Sequence, residues 1–172
     1  MSRFSYQWEE GESVLGELEH HFAAHWAEYA TLPDRFKMDI DIAGYRAMNK
    51  LGRLHIVTVR EITPHSSLHT LVGYHVHLTR RHPHRNCLCS QDSVLYVQPY
   101  EPLVRLTILR NLIEFSISEL TARGVEMIFS RSKNSHAIGG LLGQLGFEPV
   151  ETVYMLVPAE KDAAGETKVP AP

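Results

Sequence analysis

Apolar positions in the first third of the chain recur at helical spacing. Between Glu12 and Tyr29, the residues Val14, Leu15, Leu18, Phe22, Ala23 and Trp26 fall three or four apart, the stripe of a helix packed by one face. Thr31-Leu32-Pro33-Asp34 ends it. A second, shorter helix is expected from Asp41 to Leu51, capped by Asp41 and stopped by Gly52. The N-terminal third thus reads as helical and acidic.

The period then changes. Arg53 to Arg60 carries His55-Ile56-Val57-Thr58-Val59, whose β-branched side chains suit a strand. A turn around Pro64 leads to a second strand, Leu68 to Thr79, in which Gly73 marks a bulge. Arg80 to Asn86 reads as a hairpin tip. Ser93 to Val97 is a nearly continuous apolar run, as expected of a strand buried on both faces. Pro102 suits the first turn of a long helix running to Arg123, with Leu109, Leu112, Ile113, Ile117 and Leu120 along one face and Gly124 as its stop. Val125 to Phe129 is a further strand. A helix capped by Asn134 or Ser135 and ended by Gly146 comes next, then a strand from Phe147 to Val157. Short strand–helix–strand connections imply parallel pairing in part of the sheet. Residues 1–158 read as one domain, and the polar 159–172 as a disordered tail.

Several pieces in this order resemble the GNAT acetyltransferases, and in particular a branch common in phage and prophage sequences. They are His25-Trp26-Ala27-Glu28, Tyr45, Gly52-Arg53-Leu54 and Leu71-Val72-Gly73-Tyr74. His82-Pro83-His84, Asp92-Ser93-Val94-Leu95-Tyr96 and Glu119-Leu120-Thr121-Ala122-Arg123-Gly124-Val125 follow. Lys133, His136, Gly139, Leu141-Leu142, Leu145-Gly146-Phe147 and Glu151-Thr152-Val153-Tyr154 complete the set. The resemblance implies an α/β fold: a mixed, largely antiparallel sheet with one parallel, splayed pair and helices on both faces. It implies an N-acetyltransferase using acetyl-CoA, with direct attack by an amine in a ternary complex. Leu95, Tyr96 and Val97 would hold the pantetheine arm. Val104, Arg105, Leu106, Thr107, Ile108, Leu109 and Arg110 would form the pyrophosphate loop, with Asn134 and Ser135 also on the cofactor. Trp26, His82, His84, Lys133 and His136 would face the acceptor.

The sequence departs from the family at that loop. Val104, Thr107 and Leu109 stand where the family has Arg or Gln and two small residues, and a glycine there lets the backbone approach phosphates. Arg105 and Arg110 either compensate by pairing with phosphate oxygens or sit on a solvated helix face. Leu142 stands where many members carry the tyrosine that protonates the leaving thiolate. Tyr154 is then either a replacement acid or a tyrosine packed at a sheet edge. Asp92 is the first candidate for the base that takes the amine's proton, against a strand-entry aspartate making local hydrogen bonds.

Composition narrows the setting. A formal charge of −3 over 172 residues gives no global attraction to nucleic acid or anionic membrane. No run approaches the roughly 20 apolar residues of a membrane span, and MSRFSYQWEE lacks a secretory signal's apolar stretch. Cys87 and Cys89, the only cysteines, are too close for an ordinary disulfide, so a reducing cytoplasm is expected, a host's if the gene is a phage's. His82, His84, Cys87 and Cys89 have zinc-ligand types without the usual spacing, and a shared non-metal role of the histidines fits the resemblance better. Arg80, Arg81 and Arg85 make a basic patch that either steers an anionic partner or protects a sheet edge. The acceptor stays open among a protein amine, an amino sugar, a polyamine and a modified nucleobase, and a homodimer is one assembly open to the chain. The alternative to an enzyme is a catalytically inert scaffold of the same fold that binds a macromolecular partner.

Overall fold

Phe4, Tyr6 and Trp8 alternate with Ser5, Gln7 and Glu9, and this period of two makes β1 (Phe4–Glu9), a strand in what reads from the sequence as a helical region. In the computed structural model, which describes residues 3–63, 69–133 and 138–158, the aromatic face of β1 packs onto the third helix. Tyr6 lies 6.4 Å from Phe115 and Phe4 meets Tyr100 edge-on at 5.7 Å. The expected helices follow as α1 (Gly11–Tyr29) and α2 (Ile42–Lys50). Asp41 caps α2 by accepting from Gly44 N at 2.7 Å.

Strands β2 (Leu54–Glu61), β3 (Thr70–Arg81) and β4 (Leu88–Val97) continue an antiparallel meander. The bulge falls where Val59 faces Gly73 and Arg60 faces Leu71, which leaves Val72 as the extra residue on β3. Gly73 is needed for closeness: a Cβ there would stand 2.7 Å from the Tyr96 carbonyl oxygen. The hairpin tip is tighter than Arg80 to Asn86. His82 N donates to Cys87 O at 2.9 Å, and Asn86 takes the left-handed conformation at φ 49° that its short amide tolerates. After β4 come α3 (Pro102–Ala122), β5 (Met127–Phe129) and α4 (Ile138–Gln144). The stops after α2, α3 and α4 are Gly52, Gly124 and Gly146, all at positive φ.

The sheet order is β1-β2-β3-β4-β5, with only β4 and β5 parallel. Helix α1 covers one face through Val14, Leu15 and Leu18 on Leu54, Ile56, Tyr74 and Tyr96. Helix α3 covers the other through Ile108 and Leu112 on Val57, Val59, Val72 and Val97, and α4 packs on α3 through Leu141 and Leu142. The strand expected from Phe147 to Val157 is not formed. Residues 147–158 have no regular structure, with Val150, Val153, Tyr154, Met155 and Leu156 exposed. Apolar content favoured a strand there, but no pairing partner meets it among the described residues. The tail 159–172 lies outside them. No helix among the described residues is long and apolar enough to cross a membrane.

The α3 face of the sheet also buries polar rings. His75 and His77 are inaccessible, their centroids 3.9 Å apart. Ser116 Oγ donates to Leu112 O at 2.7 Å, so its lone pair accepts from His75 Nδ1 at 3.0 Å. His77 Nδ1 lies 3.1 Å from Ser90 Oγ, and both Nε2 atoms lack a partner. Protonating either ring would bury an unpaired charge. Burial, reinforced by His55, drives His77 down to about 3, and burial with His77 beside it holds His75 well below its ordinary value. Unfolded, both rings take a proton near pH 6.5. Their stabilising effect is therefore complete above that pH and is lost as pH falls toward the folded values, by about 1.4 kcal/mol per pH unit per ring. Urea unfolding at pH 7, 6 and 5 should show His75→Leu losing less stability on acidification than the native chain, while Ser116 keeps its bond to Leu112 O.

Candidate functional site

The sheet opens between β4 and β5. Their pairing covers only Cys89 to Gln91 against Met127 to Phe129. Beyond it, Asp92 bridges the parting strands: its carboxylate accepts from Ser130 Oγ at 2.6 Å and from Arg131 N at 3.0 Å. The side chain is 7% exposed, and burial raises its pKa against the lowering pull of those two bonds. Asp92 lies midway along β4 rather than at its entry, its bonds reach the segment after β5 rather than local backbone, and it stands at the apex of the opening.

The next stretch of β4 presents backbone to that opening. Gln98 N donates to Val72 O at 2.9 Å, which makes alternate residues of β4 face β3. Leu95 and Val97, out of phase with Gln98, turn their N–H and C=O groups away from β3; Leu95 is half-buried at the gap, and Val97 is buried with its carbonyl held by Arg105. Tyr96 between them is buried against α1. An extended amide-containing ligand could pair with this edge as a strand would.

Helix α1 ends across the same gap, and two cations hold it there. Arg105, from the first turn of α3, donates to both Glu28 carboxylate oxygens, at 2.6 and 2.8 Å, and to the Val97 carbonyl at 2.7 Å. Lys133, beyond β5, donates to the Tyr29 carbonyl oxygen and, at 2.8 Å, to Thr31 Oγ1. Both cations suit the negative end of a helix with no basic residue in its own last turn. Beside them His25 Nδ1 lies 3.4 Å from Tyr74 Oη, and its ring is 5.5 Å from that of Tyr96. Burial, with Lys133 nearby, pushes His25 down to about 4, so it is neutral at pH 7. His25, Glu28 and Tyr29 are candidate site residues that the sequence motifs do not single out. The signal was the cluster of polar rings and charge at the end of an otherwise apolar stripe.

The remaining candidates divide. Val104 to Arg110 form no loop: they are the opening turns of α3, with Ile108 buried in the core and Leu109 packed beside it. Leu106 is exposed, and Thr107 Oγ1 bonds Leu103 O at 2.8 Å. Arg105 points inward to Glu28 rather than outward to a phosphate, because a half-buried carboxylate sits within its reach. Arg110 bonds Gln144 Oε1 at 3.0 Å. Trp26 is half-buried in the last two turns of α1. His82 and His84 sit at the hairpin tip, roughly 20 Å from Leu95 along β4, so they do not join the site. Tyr154 is 90% exposed and belongs to no strand. Asn134, Ser135 and His136 lie outside the described residues.

The hairpin makes no metal cage. His82 Nδ1 accepts from His84 N, Cys87 Sγ points to Met127 and Cys89 Sγ to the Arg80 carbonyl. Among the described residues no three His, Cys, Asp or Glu side chains converge. A hollow of about 610 Å³ lies between Ile117, Val125, Ile128 and Phe147, and neither Asp92 nor Arg105 lines it.

The Arg105–Glu28 pair, with side chains 23% and 27% exposed, ties α3 to α1. Arg105→Ala should cost about 1–3 kcal/mol by leaving Glu28 and Val97 O without their donor. Glu28→Gln should cost less. In chemical denaturation the double variant should lose less than the two single losses together, the sign of a direct interaction.

No family model matches the sequence, and no curated protein matches it. Solved structures do. An aminoglycoside acetyltransferase from an uncultured soil metagenomic sample superposes with a TM-score of 0.66 at 14% identity, over 93% of this chain and 100% of the other. Glucosamine-6-phosphate N-acetyltransferase from Arabidopsis thaliana gives 0.62 at 9% identity, over 91% and 98%. An acetyltransferase from Trypanosoma brucei gives 0.61 at 15% identity, over 90% and 99%. At such identities the likeness is one of architecture, and the five-stranded mixed sheet with its parallel, parting β4–β5 pair is the GNAT-type α/β fold.

Proposed function

We propose that this chain is an N-acyltransferase that moves an acyl group, acetyl first among them, from a pantetheine thioester such as acetyl-CoA to a small cationic amine. The observation that carries the reading is the parting of β4 from β5 at Asp92, which turns the outward backbone groups of Leu95 to the gap, while Val97 beyond it is buried with its carbonyl held by Arg105. The pantetheine arm fits that edge, since its two amides can pair with a strand's N–H and C=O groups. A bound thioester supplies a carbonyl carbon activated toward amine attack.

The chain's own residues then have distinct tasks. Leu95 would orient the arm, and Val97 would do so once Arg105 releases its carbonyl. Asp92 would take the proton the amine loses as the C–N bond forms and the C–S bond breaks. Its burial-raised pKa makes it a better acceptor than an ordinary aspartate. No acid is required for the sulfur, because a thiol of pKa near 8.5 leaves readily as thiolate. That removes the need for Tyr154 or for a tyrosine at Leu142. The acceptor would lie against the end of α1, where His25, Glu28 and Tyr29 gather. Two of the similar structures are named as aminoglycoside and amino-sugar phosphate acetyltransferases, and amino sugars head the candidate acceptors here. The phage-type resemblance rests on sequence motifs alone.

A second reading, an inert scaffold for a macromolecular partner, draws support from Arg105, which occupies the Val97 carbonyl. Thiol release from acetyl-CoA with a panel of aminoglycosides, amino sugars, polyamines and lysine peptides separates the two. Turnover with at least one cationic amine is expected, and Asp92→Asn should lower it by ~10²–10⁴ with the loss shrinking at high pH, where free amine is plentiful. A folded chain with no thiol release from any of them would leave the scaffold reading.

A further inference from the structure

Glu101 stands where α3 begins and turns its carboxylate back onto the helix. Its Oε2 accepts from Leu103 N at 3.1 Å and from Val104 N at 3.2 Å. Pro102 has no N–H, and Arg105 N donates to the Glu101 carbonyl at 2.9 Å. Every donor of the first turn is thus absent or engaged. A helix N-terminus draws anions because its N–H groups are free and its dipole is positive there. At α3 the anion is the chain's own carboxylate, and a second one would meet its charge.

Two further observations point the same way. Side chains occupy the places where a backbone would need to come close to phosphates: Val104 packs on the core, Thr107 bonds back to Leu103 O, and Leu109 lies between two core clusters. The arginines of α3 are also engaged, Arg105 with Glu28, and Arg110 with Gln144 and, at 3.6 Å, with Glu114. The diphosphate of a CoA molecule therefore does not fit the start of α3, although the arm fits the edge of β4.

We propose that this chain takes its thioester by the pantetheine arm alone, the nucleotide end of CoA adding nothing to binding, with Glu101 as the residue that closes the diphosphate site. The proposal rests on the acyl-transfer reading for its chemistry: the amine nitrogen bonds the acyl carbon, the carbon–sulfur bond breaks, the pantetheine sulfur leaves as thiolate, and Asp92 takes the proton that the nitrogen gives up. The ligand class is the pantetheine thioester, whether free, within CoA, or carried as phosphopantetheine on a carrier protein.

Calorimetric titration of the full chain with pantetheine, 4′-phosphopantetheine and CoA tests this without turnover. Dissociation constants equal within about threefold are expected. CoA binding more than about tenfold tighter than pantetheine overturns the proposal, and so does the absence of binding by all three. Glu101→Ala frees Leu103 N and Val104 N and should tighten CoA by about fivefold or more while leaving pantetheine unchanged. Glu101→Gln, which keeps the cap without its charge, should fall between. An unchanged CoA-to-pantetheine ratio in both folded variants overturns the role given to Glu101. Holo and apo carrier protein separate the sources, and binding of either holo carrier or free arm stands with the proposal. Equal binding of the three ligands with no thiol release from S-acetylpantetheine or acetyl-CoA would sink the acyl-transfer reading and leave this one in place.

Discussion

The guanidinium of Arg105 leaves the first turn of α3, takes the Val97 carbonyl at the end of β4 and closes on Glu28 at the end of α1. The elements on opposite faces of the sheet are thereby held at one edge of the gap by one half-buried charge. Its carboxylate partner is what makes that burial tolerable, since an unpaired guanidinium in this place would be costly to desolvate. Because Val97 O lies on the edge of β4 turned away from β3, the same contact that secures α1 also stands at the mouth of the ligand edge. Structure and access are coupled through one side chain.

Much of this architecture is legible in the chain. The stripe from Val14 to Trp26, the cap at Asp41 and the glycine stops at Gly52, Gly124 and Gly146 are local signals, and each falls where local physics put it. Strand β1 was equally legible, since Phe4, Tyr6 and Trp8 alternate. It is short and runs into an acidic helix, which drew the reading toward helix. The Phe147–Val157 stretch errs in the other direction: an apolar segment has strand propensity, but a strand exists only where a partner edge receives it. The site was less legible. The sequence sets Asp92 at the entry of a strand beginning at Ser93, whereas β4 starts at Leu88 and holds Asp92 midway, and its partners Ser130 and Arg131 come from the segment after β5, nearly forty residues on, a pairing no local pattern encodes. Arg105 was named for its charge, and only the fold reveals that Glu28 claims it.

The departures from family pattern noted in the sequence acquire a common physical sense. A side chain at a glycine position is usually read as damage to a loop. Here Val104, Thr107 and Leu109 are ordinary helix residues, and the segment is an unbroken helix from Pro102 with its own acidic cap. What looks degenerate against a phosphate cradle is a consistent solution for a helix end. The buried histidines show a similar economy: His75 and His77 fill core positions as neutral rings, anchored by Ser116 and Ser90 on one nitrogen each.

Strand β1 has a consequence for how the chain is made. Phe4 lies opposite Glu61, so β1 has no partner strand on the ribosome until α1, α2 and β2 have all emerged after it. Its aromatic face must wait through that interval, and then longer, because Phe115 and Tyr100 arrive later still. Closing so long a segment carries an entropy cost that local helices do not. In vectorial synthesis β1 is thus translated ahead of α1 yet docks only after β2. Substitutions on the aromatic face of β1 would therefore act on a late step of assembly, after the β2–β3–β4 meander is already in place.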